Sequence, residues 1–311
     1  MEHCWECLPE MELVLEYAGK GGREMQEKRK YIGIFYIIVS AFFFALMAMF
    51  VRLSGDLPSV QKSFFRNLSS LILATVIIKK EGVKFSGKRE NLKYLFFRSA
   101  AGTVGILSNF YAVDHLVLAD ASMLNKMSPF FAIIFSYLIL KEKIRVPQAM
   151  IVTGAFLGSL LIIKPTAAIF HSPAALVGLL GGLGAGVAYT YVRVLGQRGE
   201  KGPFVVFAFS AFSCAVTLPY LLFSYHPMSR MQLFYLLLAG LSAAGGQFSI
   251  TAAYFHAPAK EISVYDYSQI IFSAMLGFFV FGQIPDLLSW IGYVVICSMA
   301  VLMFLYNRKH A

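Results

Sequence analysis

The chain has 311 residues, 58% of them hydrophobic and only 14% charged, against roughly 45–50% and about 25% in soluble globular domains. So much apolar surface excludes an ordinary water-soluble fold and points to lipid as the solvent. The formal net charge of +10 does not indicate nucleic acid, because the basic residues fall in short clusters between apolar runs rather than on one face of a soluble domain.

The first 24 residues lack the basic start, apolar centre and small-residue cleavage site of a signal peptide. Cys4 and Cys7 form a lone CxxC with no second half, so neither a metal site nor any other cofactor is expected. Cys214 and Cys297 lie inside apolar runs and supply no disulfide framework. Met25 opens a basic leader, Gln26-Glu27-Lys28-Arg29-Lys30, and stands as an alternative start to Met1. Residues 1–30 read as an N-terminal tail.

Runs near twenty apolar residues then follow one another with short connections. The first five are Tyr31 to Leu53, Val60 to Ile78, Leu92 to Val113, Ala119 to Leu140 and Val146 to Ile163. The second five are Ala174 to Leu195, Pro203 to Phe223, Met231 to Phe255, Glu261 to Gly282 and Leu287 to Tyr306. The fold class is therefore all-α, a polytopic membrane protein of ten transmembrane helices. Twenty lysines and arginines lie in the two tails and alternate loops, and two, Lys164 and Arg230, lie in the opposite loops. Because cytoplasmic loops hold the positive excess, this bias puts both termini in the cytoplasm of a cell-membrane protein and supports an even number of spans.

The halves resemble each other. Phe50-Val51-Arg52-Leu53 matches Tyr191-Val192-Arg193-Val194 at an offset of 141, and spans four and nine align near 140, setting Ser128 against Ser268 and Lys126 against Asp266. Leu140-Lys141-Glu142 falls against Phe281-Gly282-Gln283 within a one-residue slip. Five spans per half is odd, so the second half, residues 174–306, enters the membrane opposite to the first, residues 31–163, and residues 307–311 form a cytoplasmic tail. Such an inverted repeat suits alternating access, with a site near the midplane between the halves.

On these features the chain resembles the EamA-type members of the drug/metabolite transporter superfamily. The resemblance covers Tyr31 to about Tyr306 and rests also on Arg66 in Phe64-Phe65-Arg66-Asn67, on Ser128-Pro129 and on Glu142. It departs from the family where Gln283 replaces an acidic residue and Gln269 replaces proline. What the resemblance implies is carriage of small metabolites such as amino acids, nucleobases, amines or drug-like solutes.

Ionisable groups deep in a span cost about 2.5–3.5 kcal/mol on insertion scales and face a bundle interior or a wet cavity. Arg66, Arg98, Lys126 and Asp266 are the ones well inside the ten runs. Lys126 and Asp266 occupy equivalent repeat positions, and at different heights, roughly 5 Å to the outer side of the midplane and roughly 8 Å to the inner side for continuous helices, they suit a zwitterion. A mutual structural ion pair is the competing reading. Arg66 reads equally as a snorkelling side chain or as a fork for a carboxylate, with the resemblance favouring the second. Arg98 reads as snorkelling. Asn125, Tyr265 and Gln269 are the polar neighbours expected to orient a substrate.

Gly178, Gly182 and Gly186 recur every four residues in span six, the small-xxx-small pattern of close helix packing. Asp114, His115, Asp120 and His256 leave proton or ion coupling open without identifying it. The expected partners are thus the bilayer and a small-molecule substrate, with no nucleic acid and no readable oligomeric state. The function expected is a secondary transporter of a small polar or zwitterionic metabolite. Its alternatives are a channel-like facilitator and an intramembrane lipid-linked transferase. The chain lacks the HExxH, paired-carboxylate and P-loop signatures of an enzyme or ATP-driven pump.

Overall fold

The computed structural model describes residues 8–82, 87–116, 118–166 and 172–309, and for 8–27, 113, 114 and 118–120 the backbone alone. Cys4, Cys7 and Lys84 lie outside the described residues, as do the side chains of Met25, Asp114 and Asp120. Among the described residues every regular element is helical: α1 (Leu8–Leu53), α2 (Ser59–Lys80), α3 (Leu92–His115), α4 (Leu118–Asn125), α5 (Ser128–Leu140), α6 (Val146–Ile163), α7 (Pro173–Gln197), α8 (Gly202–Phe223), α9 (Arg230–His256), α10 (Ala259–Ile262), α11 (Ser268–Phe281) and α12 (Leu287–Lys309). Short 3-10 turns fill Arg89–Asn91 and Ser263–Tyr267.

Among the described residues, eight stretches are long and apolar enough to cross a membrane, beginning with Lys28–Leu53 in α1. Their outward faces carry large apolar side chains such as Phe223, Phe279, Leu287 and Leu176, as lipid-facing surface requires. α2 and α3 fall short of that composition for a physical reason. α2 turns Gln61, Ser63, Arg66, Asn67, Ser69 and Ser70 inward, and α3 buries Arg98, Ser99, Thr103 and Ser108. Both helices spend polar residues on the interior while their apolar residues Ile72, Val76, Phe96 and Phe97 face outward.

Helix packing is orderly. α3 lies along α7 and α1 along α9; α2 packs on α8 and α6 on α12; α5 meets α7, and α11 meets α1. Small residues permit the close approaches, since a Cβ built on Gly105 would stand 3.0 Å from the Ala185 nitrogen and one on Gly158 3.3 Å from the Gly292 carbonyl. α5 and α11 both end on a left-handed residue, Lys141 (φ 56°) and Gly282 (φ 63°), which turns the chain sharply at each helix C-terminus.

Two expected spans are not continuous helices. The fourth breaks at Lys126–Met127, between α4 and α5, and the ninth breaks through the 3-10 turn Ser263–Tyr267. Pro129 sits in the first turn of α5, where its missing N–H costs nothing, so it starts a helix rather than kinking one.

Candidate functional site

The two breaks face each other. The Lys126 Nζ donates to the Asp266 carboxylate at 3.2 Å, to the Asp266 main-chain carbonyl at 3.4 Å and to the Gln269 amide oxygen at 2.7 Å. In return the Tyr267 hydroxyl donates to the Lys126 carbonyl at 3.1 Å. Interrupted helices leave backbone groups unpaired, and in lipid these must find protein partners. Each break here satisfies the other. The different heights expected for Lys126 and Asp266 hold only for continuous helices; the breaks bring both groups to one level and into contact.

A cavity of about 740 Å³ opens above this junction. Lys126, Asn125, Gln269, Ser122, Asn109 and Ser273 lie on its walls, and Arg52, Gly55, Asp56 and Gln283 stand at its mouth. Of the residues singled out from sequence, Lys126, Asn125 and Gln269 therefore line it directly. Asp266 lies behind Lys126, buried. Tyr265 does not belong to the cavity wall: on the 3-10 turn it points elsewhere, and its buried hydroxyl has no partner.

Arg66 is buried just behind the wall. Its Nε approaches the sulfur of Met47, a cavity-lining residue, at 2.9 Å, and its Nη1 lies 3.4 Å from the Asn67 amide oxygen. Arg98 does not snorkel. Its guanidinium stacks on Phe209, 3.9 Å from the ring centre, and Nη2 donates to Gln247 at 2.9 Å, which ties it to α8 and α9 rather than to either membrane surface. Gln247 lies 149 positions away in sequence, with no local signal to connect the two.

At the end of the bundle that carries the termini, Lys30 donates to the Asn307 carbonyl at 2.8 Å and Lys260 to the Lys143 carbonyl at 2.8 Å. There Arg193 Nε lies 3.4 Å from Glu142, while its Nη1 donates to the Tyr254 and Phe255 carbonyls at 3.2 and 3.1 Å, closing the C-terminus of α9. The Ser136 hydroxyl donates to the same carboxylate at 2.5 Å. At the other end, with the Gln283 amide oxygen turned toward Arg52, that oxygen accepts from Nη1 and Nη2 at 3.0 and 3.2 Å. The His256 Nδ1 donates locally to the Ala252 carbonyl at 2.7 Å, and His115 stacks on Tyr111.

α7 brings Gly178, Gly182 and Gly186 against α4 and α5: a Cβ on Gly178 would stand 2.6 Å from Leu124, one on Gly182 2.5 Å from the Leu124 carbonyl, and one on Gly186 2.7 Å from the Ala132 nitrogen. Among the described residues no His, Cys, Asp and Glu side chains gather as a metal site would require.

The sequence model of the EamA-like transporter family matches residues 31–164 and again residues 172–305. The chain belongs to the EamA-like transporter family. It is 33% identical over 268 residues to the pseudopaline exporter of Pseudomonas aeruginosa, covering 85% of this chain and 93% of that one. It is 24% identical to human solute carrier family 35 member G1, covering 82% and 73%, and 24% identical to the riboflavin transporter of Vibrio cholerae, covering 85% and 90%. A crystal structure with 15% identity superposes with a TM-score of 0.75 over 89% of this chain and 98% of its own, a likeness of fold. This EamA protein is thus a multi-pass membrane protein among relatives named as transporters.

Proposed function

We propose that this chain crosses the cell membrane ten times, as two inverted five-helix halves with both termini cytoplasmic, and carries a small polar or zwitterionic metabolite by alternating access. The observation that carries the reading is the cavity itself, open at the Arg52–Gln283 end and ending on Lys126 and Gln269, beside Asp266. A cation, an anion and amides at a helix-break junction can hold the ammonium and carboxylate of one solute.

The packing supports inversion. Exchanging the halves turns the α3–α7 contact into α9–α1 and the α5–α7 contact into α11–α1, and returns α2–α8 and α6–α12 to themselves. The pairs Arg193–Glu142 and Arg52–Gln283 exchange likewise, one at each end of the bundle. A bundle with equivalent closures at its two ends has the makings of two states of similar energy. The buried Lys126–Asp266 pair beside the cavity favours a carrier over a continuous pore, and the relatives' names, pseudopaline and riboflavin, speak for a family that serves more than one solute.

The test is solute counterflow in proteoliposomes, using metabolites that first raise the thermal midpoint of the purified protein. Uptake of labelled solute driven by unlabelled solute inside, lost in Lys126→Met, is expected. A flux indifferent to solute on the far side would replace the carrier with a channel.

A further inference from the structure

The buried charges do not balance. The buried charged side chains among the described residues are Lys30, Arg66, Arg98, Lys126, Glu200 and Asp266. Lys30, inside α1, and Glu200, in the connection between α7 and α8, have partners of their own, the Asn307 carbonyl and the Asn91 amide. Lys126 and Asp266 neutralise each other. That leaves Arg66, 4% exposed, and Arg98, 2% exposed, neither with a carboxylate within ion-pair distance. They lie within electrostatic reach of one another.

Two like charges in the interior of a bundle, with no counter-ion, are costly to hold. Their hydrogen bonding is also unfinished. A guanidinium has five N–H donors, yet Arg66 reaches only a thioether and one amide at 3.4 Å, and Arg98 reaches one amide while its buried Nε has no partner. The cover between Arg66 and the cavity is the Met47 side chain, an unbranched thioether that changes rotamer easily. Snorkelling does not explain charges this deep, and a purely packing role would not call for the fork geometry that matches oxyanions.

We infer that the solute carries net negative charge: a carboxylate or phosphate beyond whatever its own ammonium group balances, drawn to the field of Arg66 and Arg98 and gripped by Arg66 once Met47 swings aside. This rests on the reading of the Lys126–Asp266 junction as the substrate site and narrows its substrate class. The ammonium of such a solute meets Gln269, with the Asp266 carboxylate behind the wall to balance it, one oxyanion meets Lys126, and the additional oxyanion meets the arginine.

The experiment compares four probes by thermal stabilisation of the full chain in nanodiscs: glycine, neutral overall; glutamate, with one excess negative charge; O-phosphoserine, more negative still; and putrescine, a dication. Glutamate and O-phosphoserine are expected to bind about tenfold or more tightly than glycine, and their order separates a carboxylate site from a phosphate site. In Arg66→Gln that preference should collapse while glycine binding persists. Should Arg66→Gln fail to fold, Arg66→Lys keeps the charge, loses the fork and is expected to retain only part of the preference. Glycine or putrescine binding as well as the acidic probes, or no stabilisation by either acidic probe, overturns the inference. If Lys126→Met and Asp266→Asn leave the binding of every probe unchanged, the placement of the site is what fails.

Discussion

Glu142 and Gln283 hold corresponding positions just past the left-handed ends of α5 and α11, and each faces an arginine from the other half: Glu142 lies 3.4 Å from Arg193, and Gln283 accepts from Arg52 at 3.0 Å. The geometry is shared and the charge is not. A charged, half-buried pair holds the end bearing the termini, whereas a neutral amide meets the arginine at the cavity mouth, which agrees with a cavity open there.

Gln283→Glu should therefore tighten the mouth. A charge-assisted bond is roughly twice as strong as a neutral one, enough to shift a balanced two-state equilibrium several-fold. With Ser273→Cys placed on the cavity wall, labelling by a membrane-impermeant thiol reagent is expected to slow several-fold on adding Gln283→Glu. Glu142→Gln should loosen the opposite end and make that cysteine reachable from the terminal side. Labelling rates unmoved by both changes would remove these pairs from any role in access.

Lys126 and Asp266 invite a double-mutant test. A single neutral substitution strands the other charge in the interior, a loss of about 3–5 kcal/mol for a fully buried pair. Lys126→Met combined with Asp266→Asn relieves it, so the double variant should recover most of the wild-type thermal midpoint. Transport is expected to stay absent, since both proposed handles on the solute are gone. Recovered counterflow in the double variant would reduce the pair to a structural ion pair.

The apolar runs and the correspondence of Lys126 with Asp266 in the repeat were legible because hydropathy and a 140-residue offset are linear properties of the chain; their direct contact was the lesser of two readings. The helix breaks were not. A 3-10 turn such as Ser263–Tyr267 keeps nearly the composition and periodicity of the helix around it, so nothing in the residues marks where Tyr265 leaves the face of Gln269. The place of Arg98 was hidden for another reason: its neighbours Phe209 and Gln247 come from α8 and α9, and a lone arginine in a span gives no hint of which distant helix receives it. Gln283 shows the reverse case. It counted as a departure from the family pattern, and the structure gives that departure a location, the mouth of the cavity.

Asp286 offers a pH-dependent contrast outside the membrane. Lys164 donates to one of its oxygens, and the Ser289 hydroxyl and amide donate to the other at 2.7 and 3.0 Å. Together they hold its carboxyl well below the usual carboxylate range. A depressed pKa in the folded state means stability that is present above the unfolded value of about 4 and lost as pH falls through the folded one. Asparagine caps a helix about as well as aspartate, so Asp286→Asn isolates the charge. The variant's thermal midpoint should sit slightly below wild type at pH 7, with the gap closing below about pH 4. The effect stays small because the pair is exposed and salt-screened. A gap that is constant with pH would mean the carboxylate charge contributes nothing.

The glycines of α7 can be ranked by what a methyl group would strike. At Gly178 the nearest atom is the tip of the Leu124 side chain at 2.6 Å, which can rotate away. At Gly184 the new Cβ would meet only backbone, the Ala101 carbonyl at 2.7 Å and the Gly105 nitrogen and Cα at 2.9 Å, so α3 and α7 would have to separate. The four-residue pattern of Gly178, Gly182 and Gly186 marks the face toward α4 and α5, while Gly184 governs the long contact with α3. Overpacking that forces backbone to move typically costs about 1–3 kcal/mol. Gly184→Ala is therefore expected to lower the thermal midpoint by several degrees and to reduce the fraction of protein extracted as monodisperse, with Gly178→Ala close to wild type. Equal midpoints for the two variants would show that α3 and α7 can part without loss, and that their close approach is not what holds the two halves together.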